Sequence, residues 1–285
     1  MPKGLGKGYA QLTEEEKNNI VIDYYKGISI KDLIKIHKTT QRAVPQVLKE
    51  RDINTNRKNH YTLNENYFEI INTEHKAYWL GFIAADGCIT ETNYFAMSLK
   101  DKEILLELKK DLEYTGDIYI TSSSTEDYKY YRINFSSKKL CDDLRNLGIY
   151  ENKSLTYDNL PDISDDLMPH FIRGYFDGDG SINSYYVRKY TDKKGKQKKR
   201  KTPLLRFSFG IVATENFCVE LNNYLKNIIN YDGKINKHNT KPVSYYNICD
   251  KKAMKRFYNY IYNNATIYLV RKYNIWQDFL GSLEE

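Results

Sequence analysis

Apolar residues along this chain recur mostly at helical spacing, interrupted by short alternating runs that read as strands. Met1 to Tyr9 is rich in Gly and Lys and reads as a loose tail. Thr13-Glu14-Glu15-Glu16 has the form of a capping box opening a helix with Ile20, Val21 and Tyr24 on one face and a stop near Gly27. Ser29 caps a second helix with Ile30, Leu33 and Ile34 inward, and a third is predicted from about Thr40 to Glu50, where Pro45 is expected to kink or shorten it. Asn54 to Asn66 is polar and reads as a linker. From Tyr67 onward the pattern runs twice through helix, two strands, helix, two strands and helix. The first pass places strands at Tyr94 to Leu99, near Ile118 and at Tyr130 to Phe135, with helices Lys102 to Leu112 and Lys138 to Leu147. The second places strands at Leu205 to Val212, near Ile235 and at Ser244 to Ile248, with helices Glu215 to Ile228 and Lys251 to Asn263.

The strongest repeat opens each pass. Trp79-Leu80-Gly81-Phe82-Ile83-Ala84-Ala85-Asp86-Gly87 and Ile172-Arg173-Gly174-Tyr175-Phe176-Asp177-Gly178-Asp179-Gly180 are both apolar helical turns followed by small residues, one acid and a closing glycine. Gly81, Ala84 and Ala85, and Gly174 and Gly178, are small at helical spacing, so two such helices can approach with backbones almost touching. Gly87 and Gly180 read as natural helix stops, able to take positive φ. Asp86 and Asp179 then fall at helix C-termini, where unpaired carbonyls and the macrodipole disfavour an anion and a cation would relieve the repulsion. Two such carboxylates, with the carbonyls of Ala85 and Gly178 beside them, form an oxygen-rich site suited to Mg²⁺ or Mn²⁺. A single copy would read as a buried helix whose Asp starts a turn; the repetition favours two half-sites.

Later positions support the repeat. Arg132-Ile133-Asn134-Phe135 aligns with Tyr245-Tyr246-Asn247-Ile248 at the same offset that aligns Leu108 and Leu112 with Leu221 and Leu225. The second pass adds Tyr185 to Pro203, with Arg188, Lys189, Lys193, Lys194, Lys196, Lys198, Lys199, Arg200 and Lys201 against one acid, Asp192. Asp192-Lys193-Lys194-Gly195 reads as the turn of a long hairpin, and the charge favours phosphate contact, a solvated loop or localisation tract being the alternative. This clustering gives meaning to a formal charge of only +7, from 44 basic and 37 acidic residues. The 27 tyrosines add rings whose hydroxyls can reach phosphates. Cys88, Cys141, Cys218 and Cys249 lack paired spacing, so neither a zinc site nor a disulfide framework is indicated, and they read as reduced thiols in a cytoplasmic protein. No long apolar run is present, so no membrane partner is expected.

The doubled segment resembles the LAGLIDADG motif of homing endonucleases, and the chain looks like a single-chain, two-motif member. Tyr61-Thr62-Leu63-Asn64 and Lys76-Ala77-Tyr78-Trp79-Leu80-Gly81-Phe82 resemble the lead-in of mobile-element members, including intron-encoded ones. The three N-terminal helices resemble a helix-turn-helix DNA-binding domain of the resolvase or transposase type, exposing Thr39, Thr40, Gln41, Arg42, Gln46 and Lys49, against the plain alternative of a three-helix bundle with a polar face. The resemblance implies an α+β fold, a pseudo-twofold pair of αββαββα half-domains with saddle-shaped antiparallel sheets, plus that N-terminal domain. The expected division is 1–55 for the helix-turn-helix, 56–75 for linker and lead-in, 76–160 for the first half and 161–285 for the second, with the basic insertion at 185–203.

By the same resemblance Asp86 and Asp179 bind metal near the scissile phosphates, and Ala84, where the second motif has Asp177, departs at a position that does not usually hold metal. Lys153 and Lys272 resemble the basic residues placed near each metal, although surface lysines would read the same way. The sheet faces, with Tyr130, Arg132, Asn134, Arg206, Ser208, Tyr245 and Asn247, are expected to read bases in the major groove. Arg42, Gln46, Arg57, Lys58, Arg188, Lys189, Lys198, Lys199, Arg200 and Lys201 complete the expected DNA contacts. The reading is a monomeric endonuclease hydrolysing one phosphodiester per strand of a long, pseudo-asymmetric duplex site. The alternative is a non-cleaving DNA-binding transcriptional regulator of the same fold, which retention of both acids disfavours; an intein is disfavoured because Met1-Pro2 and Leu283-Glu284-Glu285 offer no splicing residues.

Overall fold

A computed structural model describes residues 6–25, 28–51, 53, 61–122 and 129–283. The chain divides into two compact units, Met1–Thr62 and Leu63–Glu285. Gly27, Arg57, Lys58 and His60 lie outside the described residues.

In the first unit a 3₁₀ turn, Tyr9–Gln11, precedes α1 (Glu14–Tyr25), α2 (Ile30–Ile36) and α3 (Ala43–Glu50). The capping box forms as expected: the Thr13 N–H donates to Glu16 Oε2 at 2.9 Å and the Glu16 N–H to Thr13 Oγ1 at 3.2 Å. Ser29 caps α2 by accepting from the Asp32 N–H. Leu12, Ile20, Leu33, Ala43, Val44, Val47 and Leu48 make the core. The third helix starts at Ala43 rather than Thr40. Pro45 therefore lies in the first turn, where amide hydrogens have no intrahelical acceptor, and does not break the helix.

The second unit is two copies of one plan. The first runs α4 (Glu74–Asp86), β1 (Gly87–Ile89), β2 (Tyr94–Leu99), α5 (Lys102–Asp111), β3 (Tyr119–Ser122), β4 (Lys129–Ser136) and α6 (Lys138–Asn146). The second runs α7 (Met168–Asp179), β5 (Gly180–Thr191), β6 (Gln197–Ala213), α8 (Glu215–Ile228), β7 (Lys234–Lys237), β8 (Ser244–Ile248) and α9 (Lys251–Tyr262), then adds α10 (Val270–Gly281). Among the described residues there are two four-stranded antiparallel sheets of matching order, β1-β2-β4-β3 and β5-β6-β8-β7. The aligned leucines lie on α5 and α8 or just beyond, and the aligned tetrapeptides on β4 and β8. Stretch 185–203 forms the outer part of the β5–β6 ladder, the long hairpin expected of it.

Each sheet has one packed face. In the first, Phe95 and Phe135 are register partners with rings stacked 4.8 Å apart. In the second, Phe209 packs on Phe176, Phe257 and Trp276. Ser137, Thr214 and Asp250 cap α6, α8 and α9, so the strand-to-helix turns are closed by side chains.

The halves join through α4 and α7. Residues Ala77 to Ala85 of α4 are all buried, because the helix packs on its own strands on one side and on α7 on the other. Gly81 and Gly174 sit at the contact. A Cβ on Gly81 would lie 2.8 Å from the Tyr175 N, and one on Gly174 would lie 2.9 Å from the Phe82 N. Gly87 and Gly180 follow the helix ends as expected but do not use the positive φ open to glycine: their φ values are −73° and −82°. Glycine is needed there for space, since a Cβ on Gly87 would lie 2.6 Å from Ile83 Cγ2 and one on Gly180 2.5 Å from the Phe176 oxygen. Gly174→Ala should therefore cost more than about 3 kcal/mol, because the obstacles are backbone atoms that cannot rotate away. Urea unfolding of the second unit checks this; a loss under about 1 kcal/mol would mean the helices can separate cheaply.

Candidate active site and nucleic-acid interface

Asp86 and Asp179 are the last residues of α4 and α7, and the following glycines donate their N–H groups back to Ile83 and Phe176. The two acid-bearing turns cross: a Cβ on Gly178 would touch Ala85 Cβ and lie 3.5 Å from Asp86 Oδ2. Burial raises both carboxyls above their ordinary range, and the Asp86 charge pushes Asp179 further, to about 6. The helix ends thus hold two like charges at a site with incomplete compensation.

Two lysines approach this crossing. Lys153 opens a 3₁₀ turn, Lys153–Leu155, entered through Asn152 at φ 59°, and its buried ammonium donates to the Ala85 carbonyl. Lys272 lies in the first turn of α10 and donates to the carbonyls of Phe176 at 2.7 Å, Asp177 at 2.7 Å, Gly178 at 3.1 Å and Gly180 at 2.6 Å. Those of Asp177 and Gly178 are among the carbonyls that a helix end leaves unpaired, while that of Phe176 also accepts from the Gly180 N–H and that of Gly180 belongs to β5. Burial lowers both ammonium groups, Lys272 to about 8, while carboxylates pull the other way, Asp179 and Asp86 on Lys153 and chiefly Asp177 on Lys272. The structure thus brings together all four residues singled out for chemistry. The Ala85 and Gly178 carbonyls, expected to face a metal, each also accept from a lysine.

The donor set fits a hard cation. It is all oxygen, with two carboxylates raised by burial, and no cluster of three or more His, Cys, Asp or Glu among the described residues offers a closed protein cage. An ion held here would keep open positions for water or phosphate.

Asp177 and Arg173 make buried bonds that were not among the expected site contacts. Asp177 is 1% exposed and accepts from the Tyr78 hydroxyl at 2.9 Å and the Leu269 N–H at 2.7 Å. Arg173 is fully buried and donates from Nη2 to Glu74 Oε1 at 2.7 Å, across the two halves. The available signal was an Arg and an Asp inside an apolar motif helix, where an unpaired charge would be prohibitive.

The sheet faces away from the core carry the expected readers. Tyr130, Arg132 and Asn134 alternate with buried Ile133 and Phe135; Arg206 and Ser208 with Phe207 and Phe209; Tyr245 and Asn247 with Tyr246 and Ile248. Cross-strand partners extend both faces with residues not singled out earlier: Ser98 and Tyr119 beside Arg132, Asn183 beside Ser208, Tyr185 beside Arg206, and Asn236 beside Tyr245. The alternation of their own strands was the signal.

The hairpin turns as expected. Asp192 Oδ1 accepts from the N–H groups of Lys194 and Lys196, each at 3.0 Å, and Gly195 takes φ +77°. Arg188, Lys189, Lys198, Lys199 and Lys201 are exposed, and Arg200 lies half-buried over the Tyr190 ring. In the first unit Gln41, Arg42, Gln46 and Lys49 are exposed and Thr40 is half-buried. Thr39 is buried instead of exposed, because it bridges to Lys7 of the N-terminal segment. No helix among the described residues is long and apolar enough to cross a membrane.

Residues 172–280 match the family model described as LAGLIDADG endonuclease. No curated protein matches the chain. Among solved structures, the I-LtrWI LAGLIDADG homing endonuclease bound to target DNA is similar with a TM-score of 0.50 at 13% identity, over 78% of this chain and 91% of that one. Meganuclease I-SmaMI bound to uncleaveable DNA gives 0.49 at 17% identity, over 74% and 89%. Meganuclease I-AabMI bound to uncleaved DNA gives 0.48 at 15% identity, over 72% and 88%. The likeness to I-LtrWI shows a shared fold.

The raised Asp179 carboxyl has a stability consequence. The folded chain holds this proton up to about pH 6 and the unfolded chain releases it near the ordinary value of 3.8, so folding stability falls as pH rises between them. At pH 7.5 without metal, Asp179→Asn should melt about 2–6 °C above the parent. Mg²⁺ should raise the melting point of the parent and leave that of the variant unmoved. Equal melting points without metal in a calorimetric comparison would show that the acid is not destabilising.

Proposed function

We propose that this chain, whose second half matches the LAGLIDADG endonuclease family, is a site-specific DNA endonuclease that hydrolyses one phosphodiester in each strand of a long, asymmetric duplex site. The observation that carries this reading is the pair of destabilised acids at the helix crossing, each with a buried lysine on the adjacent carbonyls. Asp86 and Asp179 would hold Mg²⁺ or Mn²⁺, with the second lone pairs of the Ala85 and Gly178 carbonyls as further donors. When bound, such an ion lowers the pKa of water and neutralises charge on the phosphate and leaving oxygen.

The remaining work falls to the chain. Lys153 and Lys272, fixed at the crossing, place positive charge where the phosphoryl group becomes more negative. The outward faces of the two sheets, with Arg132, Asn134, Arg206 and Asn247, present the mix of guanidinium and amide groups that reads base edges. The β5–β6 hairpin adds cations for phosphates. The exposed residues of α3 and the turn before it, Gln41, Arg42, Gln46 and Lys49, include no acid until Glu50 and serve as a second DNA-binding element of helix-turn-helix type.

Asp86→Asn or Asp179→Asn should slow double-strand cleavage at least about a hundredfold while DNA binding in Ca²⁺ persists. The substrate is a duplex recovered from a randomised library by cleavage with the parent protein. Near-parental cleavage by either variant would sink the mechanism, and binding without cleavage by the parent would favour the regulator.

Neutralising Lys198, Lys199, Arg200 and Lys201 together should weaken binding to selected and random duplexes alike. If the hairpin engages about three or four phosphates, the slope of log affinity against log salt should fall by roughly 3. A loss confined to the selected site would instead make the hairpin a base reader.

A further inference from the structure

The loop that joins β7 to β8 is organised around one side chain. The His238 N–H donates to the Val243 carbonyl at 2.9 Å, which carries the strand pairing one step past Lys237 and Ser244. The chain then turns back over the imidazole, and the N–H groups of Thr240 and Lys241 both donate to His238 Nδ1 at 3.1 Å. A ring nitrogen that receives two amide hydrogens is the acceptor, so the ring hydrogen sits on Nε2. Nε2 has no partner among the described residues, and it is not one of the buried polar atoms left unpaired.

Alternation puts His238 on the same face as Asn236, the register partner of Tyr245. Its ring stacks on that of Tyr245, with centroids 5.8 Å apart and planes 25° from parallel. The imidazole is thus held by amides at one edge and by an aromatic ring on one face. What remains is a single N–H donor of fixed identity, beside the outward face that carries Tyr245 and Asn247.

We propose that His238 is a specificity-determining residue that reads a guanine through its Nε2–H, at one base pair of the half-site faced by the second sheet. This rests on the endonuclease reading, in which that face meets the major groove. Guanine presents two adjacent acceptors there, N7 and O6, whereas cytosine presents an amino donor that a locked N–H cannot answer. Adenine and thymine each offer one acceptor and fall between. A free imidazole would answer donor or acceptor alike by flipping or by moving its hydrogen to the other nitrogen, and the two amides at Nδ1 remove both options. The base preference is therefore set by the backbone of the loop as much as by the histidine.

The test separates the donor from the loop that it organises. His238→Asn keeps an oxygen to accept the amides, as asparagine does in turns of this kind, and removes the Nε2 donor. Duplexes are selected from a randomised library by binding in Ca²⁺. The parent should prefer guanine over cytosine about tenfold at one position, and His238→Asn should reduce this to less than about twofold while preferences elsewhere hold. His238→Ala should lose the same preference and, in the free protein, speed amide exchange at Thr240 and Lys241 at least about tenfold, whereas His238→Asn should leave that exchange slow. Nitrogen NMR of the parent's imidazole should place the hydrogen on Nε2. A neutral ring with its hydrogen on Nδ1, a guanine preference that survives His238→Asn, or a loss of affinity equal for all sequences, which marks a phosphate contact, would overturn the proposal. A parent that selects no sequence sinks the nuclease reading as well, whereas a selected site without the guanine position sinks this proposal alone.

Discussion

Everything in the second unit depends on how closely α4 and α7 approach. At Gly81 and Gly174 each helix meets the other's backbone directly, and the contact is reciprocal. That proximity sets the separation of the two sheets, since each helix also packs on its own strands. It also brings two helix C-termini, with their unpaired carbonyls, to one place. Packing of this kind gains dispersion contacts along the backbone and tolerates no added atom.

The same approach creates an electrostatic problem. Two carboxylates sit where helix dipoles already concentrate negative potential, and burial removes the water that would screen them. The lysines offset this in part by bonding the carbonyls rather than the acids. The cost is tolerable because the helix contact and the cores of the two sheets are extensive. The strain in this site is a property of the fold rather than of any one residue, since it follows from the meeting of two helix ends.

Much of this was legible in the sequence. The doubled motif, the alternating strands and the Thr13 and Ser29 caps are local signals, and local chemistry decided those elements. The pairing of Asp86 with Asp179 was readable because small residues at helical spacing imply a close approach. What was not legible required tertiary neighbours. Gly87 and Gly180 looked like positive-φ stops, but the Ile83 and Phe176 side chains, not the dihedrals, exclude a larger residue. Thr39 looked exposed until Lys7 was seen beside it. The bonds of Arg173 and Asp177 reach about ninety residues along the chain, to partners that no periodicity reveals.

The alternation along β4, β6 and β8 separates two sets of residues that share the same strands. Ile133, Phe135, Phe209, Tyr246 and Ile248 hold the fold, while Arg132, Asn134, Ser208, Tyr245 and Asn247 on the opposite face do not contribute to that core. Substitutions in the outward set are therefore nearly independent of folding stability, and those in one sheet are independent of those in the other. A lineage carrying this architecture can rewrite one face at a time and remain folded at every step, so its surface chemistry is free to drift much faster than its scaffold.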